Sequence, residues 1–405
     1  MYLTDYEQAM LEGKEGEGVA EAMRIQVALG EAFDAERMVE ISRSHEAFGG
    51  SGPSVWFLEL FSKPGAQARV PITCNPAEDP DYLQSKGIKI TPDFAASLRR
   101  LHENRRIIGV IPTNNCTPYL QNNVPHFGEV IGFAESSATP YVNAVCGART
   151  NREASESALA SSITGRVPLY GLLLDENRKG DFLIKVEATL KDDFDYHILG
   201  YLVGEKVGAA NPVFTGMSSL RTSPEEFTAL SAELATGGAV GMYHVVGVTP
   251  EAPNLETAFG KKSPKKEITI TDADLQKTQQ SLSFEEGKLG WVMFGCPHYS
   301  IHQVKEVARH LEGKTIHKDV ELWVLTSAAT EEFARRLGYL DIIRKAGGDI
   351  VSGSCPDSPY WTQRFSGKVG MTDSPKGWYY PQHDGNHYML KRRSECLDAA
   401  LKGGC

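Results

Sequence analysis

The 405-residue sequence has no run of roughly 18 or more apolar residues, so nothing in it reads as a membrane-spanning helix. Its opening residues, Met1-Tyr2-Leu3-Thr4-Asp5, carry neither the basic nor the apolar region of a secretory signal, and the cytoplasm is the expected location. Positive charge is in deficit. The 42 Lys and Arg face 52 Asp and Glu, a net of −10, which argues against a broad nucleic-acid surface or an anionic membrane face and requires any anionic ligand to be met locally. No glycine cluster has G-x-G-x-x-G or Walker spacing at a strand-to-helix turn, so a nucleotide site has little support. There is no internal repeat and no C-x-x-C pair of the kind that anchors a structural zinc. The seven cysteines are odd in number and irregularly spaced, so they read as reduced thiols or metal ligands rather than a disulfide framework.

With 41% hydrophobic and 23% charged residues the chain has the composition of an ordinary globular protein, long enough for two or three lobes. Thr4 and Glu7 stand at capping-box spacing, and residues 19–33 have a helical period. Residues 38–42 read as a strand running into the glycine-rich loop 45–54, and residues 68–74 as a second strand, at a sheet edge because of Pro71. The apolar runs 106–110, 291–294, 321–325 and 348–351 read as further strands, each followed by a polar turn or a helix; Ser300 and Gln303 again have capping-box spacing. Strand, polar turn and helix in repetition predict an α/β fold with largely parallel sheets. The expected division is a first α/β region, 1–220, and a second, 221–405.

Open parallel sheets bind ligands at the carboxyl ends of their strands. Cys116, Cys296 and Cys355 each follow an apolar run within a few residues, in turns rich in proline: Cys116-Thr117-Pro118, Cys296-Pro297 and Cys355-Pro356. Three thiolates from such turns suit an iron–sulfur cluster with one iron left open to act as a Lewis acid; zinc ligation and plain burial are the alternatives. Cys74, Cys146 and Cys396 read as strand-end, core and helix-packing residues, and Cys405 as a free terminal thiol. Downstream of Cys116, the stretches Glu135-Ser136-Ser137 and Arg149-Thr150-Asn151-Arg152 suit recognition of a carboxylate or phosphate, as does Lys376 in the turn Thr372-Asp373-Ser374-Pro375-Lys376; solvated surface charge is the plainer reading. His126, His244 and His298 are candidate acids, bases or ligands.

At these residues the sequence resembles the catalytic, or large-subunit, part of the aconitase X family. The matching stretches are Cys116-Thr117-Pro118-Tyr119, Phe127-Gly128-Glu129, Ala134-Glu135-Ser136-Ser137-Ala138, Gly147-Ala148-Arg149-Thr150-Asn151-Arg152, Thr164-Gly165-Arg166, His244-Val245-Val246-Gly247-Val248-Thr249-Pro250-Glu251-Ala252 and Gly295-Cys296-Pro297-His298. The resemblance implies an aconitase-like arrangement of several α/β/α lobes without the swivelling small domain, and an iron–sulfur hydro-lyase acting on a small hydroxy acid. The expected reaction is dehydration of (R)-5-phosphomevalonate to trans-anhydromevalonate 5-phosphate, with cis-3-hydroxy-L-proline as the rival substrate and a non-catalytic metal-binding module as the other class. It further implies that Cys116, Cys296 and Cys355 hold the cluster, that substrate lies among Gly52, Pro53, Ser54, Asn75, Pro76, Glu135, Ser136 and Lys376, and that a separate small subunit brings the catalytic base. The sequence departs from the family pattern at Asp373, where Asn is expected, and at Pro53.

Overall fold

A computed structural model describes residues 1–217, 223–283, 288–385 and 387–404. The boundary expected at residue 220 and the terminal Cys405 lie outside the described residues. Strand and helix alternate as the sequence pattern requires, and the strands gather into three parallel sheets. The first has Ser44–Glu46 at its centre between Ile72–Cys74 and Gly132–Phe133. Ile72–Cys74 is an edge strand, as a proline just before it favours. The second runs in the order His244–Val245, Pro212–Thr215, Phe182–Val186, Lys266–Ile270, and so takes strands from both sides of residue 220. The third runs Asp349–Ser352, Glu321–Thr326, Leu289–Tyr299, Val369–Thr372, His387–Leu390. Among the described residues the antiparallel exception is Met38–Glu40 with Arg166–Pro168.

The third sheet shows the layering. Along its central strand, Val292 and Phe294 enter one apolar cluster with Val304, Val307 and Leu311 of the helix Ile301–Leu311. Trp291 and Met293 enter another with Trp361 and Phe365, where Trp291 stacks on Phe365 at 4.2 Å. Each such side chain contributes roughly 1.5–3 kcal/mol by leaving water, so a strand buried on both faces fixes its helices tightly. The helices Asp193–Val207 and Pro224–Gly238 approach almost backbone to backbone: a Cβ on Gly200 would lie 2.7 Å from the Leu230 carbonyl oxygen, and one on Gly204 2.8 Å from Gly238 N. No helix among the described residues is long and apolar enough to cross a membrane.

Capping boxes form at Thr4 and Glu7, Ser223 and Glu226, and Ser300 and Gln303. Two expectations fail. Residues 106–110 are not a strand: Arg106, Ile107 and Ile108 end the helix Pro92–Ile108, whose N-terminus is set by the Thr91 hydroxyl accepting from Phe94 N–H and whose end is set by Gly109 in the left-handed conformation. A threonine–proline start and a glycine stop outweigh a short apolar run. Residues 295–299 are not a simple turn either; the strand Leu289–Tyr299 continues through them with a register shift after Phe294. Gly295 makes this possible, because its φ is +101° and any Cβ there would sit 2.0 Å from the Leu325 carbonyl oxygen.

Candidate active site

The carboxyl ends of the first and third sheets meet. Ser44–Glu46 leads to Ala47, Ile72–Cys74 to Asn75 and Pro76, and Gly132–Phe133 to Glu135 and Ser136; from the other side come Cys296, Cys355 and Lys376. With Pro356, Asp357, Tyr380 and Pro381 these residues enclose a cavity of about 230 Å³.

The polar side of the cavity is an ion pair with its donors in place. Lys376 Nζ donates to Glu135 Oε1 at 2.8 Å and to Ser136 Oγ at 2.9 Å. Glu135 also accepts from Ser137 N–H at 3.2 Å and, through Oε2, from Asn75 Nδ2–H at 3.0 Å. Burial alone would raise the Glu135 pKa, but the Lys376 ammonium and these donors bring it down to about 2. Burial works against the ammonium as well, and the Glu135 charge overcomes it, lifting Lys376 well above the usual lysine range. Both groups are therefore charged at neutral pH, and two of the three ammonium N–H bonds are taken by Glu135 and Ser136.

The thiols come from two loops and the end of the strand Leu289–Tyr299, joined by His298. Its backbone N–H donates to Cys116 Sγ at 3.2 Å; its ring reaches Asn115 Oδ1 at 3.3 Å and the Ser354 carbonyl oxygen at 2.7 Å. One residue thus touches the segments holding Cys116 and Cys355 while sitting two positions after Cys296. Burial pushes the Cys116 thiol up to about 12 and raises Cys296 and Cys355 also; the Cys296 thiolate would further repel those of Cys355 and Cys116. None of these cysteines is in a disulfide. Among the described residues, no three His, Cys, Asp or Glu side chains form a group that could hold a metal ion. Cys74 and Cys396 are buried, and Cys146 is half-buried in a π-helical turn.

The turn that carries Lys376 is anchored from the second sheet's helices. Glu233, fully buried, accepts from Lys376 N–H at 3.0 Å, Ser374 Oγ–H at 2.9 Å and His197 Nδ1 at 2.8 Å. The close helix packing at Gly200 and Gly204 is what brings His197 and Glu233 together. Asp373 accepts from the Tyr299 hydroxyl and lies 3.3 Å from Arg393 Nε, so an acid stands there because it has a cation to meet. Pro53 occupies the first turn of the helix Gly52–Ser62, where an N–H has no helical partner to lose.

Not every expected residue reaches the cavity. Gly52, Pro53 and Ser54 lie on that first helical turn, beside a second hollow of about 470 Å³ lined by Gly49, Gly50, Ser51 and Glu78, which shares Ala47, Pro76, Cys355 and Asp357 with the first. Arg149 is held by Asp175 and the Leu173 carbonyl, and Arg152 donates to the Ala239 carbonyl at 2.7 Å. His126 donates its backbone N–H to Glu129, and His244 is buried against the Arg178 carbonyl. Tyr380, His45 and Glu233 carry no local signal that would single them out in the sequence; Asp357 carries one, its place beside Cys355-Pro356.

Sequence models of the aconitase X first, second and third domains match residues 1–176, 180–280 and 289–402. The chain is 38% identical over 364 residues to the phosphomevalonate dehydratase large subunit of Methanothermobacter thermautotrophicus, covering 88% of each. It is 32% identical over 411 residues to the cis-3-hydroxy-L-proline dehydratase of Pseudomonas aeruginosa, covering 99% of this chain and 70% of that one. The crystal structure of Thermococcus kodakaraensis aconitase X in its holo form superposes with a TM-score of 0.89 at 34% identity, covering 99% of this chain and 100% of the other. Matches of this extent, over a fold of the same layering, place the chain in the aconitase X family.

Proposed function

We propose that this chain is the large subunit of a hydro-lyase that dehydrates (R)-5-phosphomevalonate to trans-anhydromevalonate 5-phosphate. The observation that carries the reading is the Lys376–Glu135 ion pair, with the neutral Asn75 and Ser136 beside it, opening onto the cavity that Cys296 and Cys355 also line. A carboxylate entering there meets a fixed ammonium and fixed N–H and O–H donors, which orients the acid and its neighbouring carbon without reorganisation.

The donor set fits an iron–sulfur cluster held by Cys116, Cys296 and Cys355. These thiols are desolvated and mutually repelling as anions, so a cationic core is what would let all three ionise. They do not close into a single-ion site, and a multinuclear core is wider than one ion. When bound, such a cluster supplies a Lewis-acidic iron that makes hydroxide a better leaving group. Elimination also needs a base beside the carboxylate. Lys376 is held protonated and Glu135 is too weak a base at a pKa of about 2, which supports a base brought by a small subunit.

Four relatives named phosphomevalonate dehydratase large subunit are 34–38% identical to this chain and a fifth is 28% identical, against 29–32% for two cis-3-hydroxy-L-proline dehydratases, and the higher group favours the phosphorylated acid. The test is anaerobic reconstitution with a small subunit, assayed on both acids. The expected result is water loss from phosphomevalonate and a visible charge-transfer band that Cys116→Ser, Cys296→Ser or Cys355→Ser abolishes. A colourless, fully active set of serine variants would sink the cluster; turnover of hydroxyproline alone would sink the substrate.

A further inference from the structure

Behind Asn75 lies a buried chain of hydrogen bonds that the proposed chemistry does not use. His45 Nε2 is 2.5 Å from Asn75 Oδ1, and His45 Nδ1 is 2.7 Å from Thr73 Oγ1. Thr73 Oγ1 in turn accepts from Asn123 Nδ2–H at 2.8 Å. His45 is fully buried, and Thr73, Asn75 and Asn123 are 1–3% exposed.

Only one arrangement of protons satisfies this chain. Glu135 is ionised, so the Asn75 group facing its Oε2 must be the N–H, since a carbonyl oxygen there would meet a carboxylate. Asn75 Oδ1 then faces His45 Nε2 and needs a donor, which makes Nε2 the protonated nitrogen. Nδ1 is left as an acceptor, and the Thr73 hydroxyl must donate to it. The remaining lone pair of Thr73 meets the Asn123 amide. The surroundings agree: burial first, and Arg105 as well, draw the His45 pKa down to about 4 against the pull of Asn75 and Glu135, which keeps the ring neutral.

We infer that His45, held in its Nε2–H tautomer by Thr73, is a positioning residue that locks the Asn75 amide with its N–H side toward Glu135 and the cavity. Without this lock the amide can turn over, presenting oxygen to a carboxylate ligand and to Glu135. The inference deepens the proposed function and rests on it for its kinetic arm only.

The spectroscopic arm uses the chain alone, with 15N-labelled histidine and His45 assigned by comparison with His45→Gln. The expected spectrum shows Nε2 protonated and Nδ1 unprotonated throughout the neutral range, and Thr73→Val mixes the two tautomers. A protonated Nδ1, or an imidazolium, overturns the inference. The kinetic arm uses the two-subunit enzyme. His45→Leu is expected to raise KM roughly tenfold with a smaller change in kcat, the loss of about one buried hydrogen bond. His45→Gln, whose amide N–H can reach Asn75 Oδ1, restores KM to within about threefold of the starting value, on the same basis. Should His45→Leu fail to fold, His45→Gln still decides against His45→Asn, which is too short to reach Asn75 and is expected to behave as the loss variant. Equal KM in His45→Gln and His45→Asn overturns the inference. A reconstituted enzyme inactive on both acids refutes the proposed function and leaves the spectroscopic result standing.

Discussion

Replacing Lys376 with Met tests the electrostatics of the cavity directly. The two side chains of the Lys376–Glu135 pair are 9% and 11% exposed, so little solvent screening softens the loss. The variant leaves Glu135 with only the donors Asn75, Ser136 and Ser137 around a buried charge. Orphaning one member of a buried pair costs about 3–5 kcal/mol. Glu135→Gln, which orphans the ammonium instead, is expected to cost a similar amount. The double variant has no unpaired charge, so its loss should fall short of the sum by at least roughly 2 kcal/mol. Urea unfolding followed by tryptophan fluorescence measures all four proteins.

The pH dependence of the same series has a definite sign. Glu135 has a depressed folded pKa, so its contribution is complete above its unfolded value near about 4.3 and is lost as pH falls toward about 2. Lys376 has a raised folded pKa, so its contribution is intact across this acid range. In Lys376→Met the buried Glu135 loses the ammonium that holds its pKa down and takes up a proton more readily, so the stability gap to the parent protein is widest at neutral pH and narrows steadily as pH falls through the acid range. An additive cycle, or a gap unchanged down to pH about 3, would refute the pairing argument.

Three further outcomes follow from other parts of the fold. Gly295→Ala places a methyl group against the Leu325 carbonyl at a φ of +101° and is expected to cost roughly 3 kcal/mol or more in urea unfolding; a loss under about 1 kcal/mol would mean the strand end relaxes freely. Arg178→Met removes the cation that bonds Glu251, Asn143 and the Leu172 and Ala148 carbonyls, joining the first sheet's region to the second, and should destabilise by about 3–5 kcal/mol; unchanged thermal unfolding would count against that joint. In Glu233→Gln, His197 loses the partner that raises its pKa against the effect of burial. A raised histidine stabilises fully below its unfolded value near about 6.5 and progressively less above it, so the parent protein's advantage over the variant should shrink as pH rises through the folded pKa; an advantage that grows with pH would reverse the assignment.

The parts of this fold legible in the sequence are those set by local chemistry. Capping boxes at Thr4 and Ser300, and proline-bearing turns after Cys116, Cys296 and Cys355, announce themselves within a few residues. A short apolar run such as 106–110 looks the same at the end of a helix as in a strand, and the deciding signals are Gly109 within it and the Thr91-Pro92 start well upstream. Glu233 and His45 were invisible for a different reason. Their partners Lys376 and Asn75 are brought to them by packing of separate elements, and no spacing rule encodes where a helix meets a distant turn or which strands pair.

The cavity draws one wall from residues 47 to 136 and the other from residues 296 to 381. A nascent polypeptide that has emerged only as far as the second sheet owns one wall of the pocket and lacks the other. The cavity is therefore complete only after translation has delivered Lys376 and its turn has seated against Glu233.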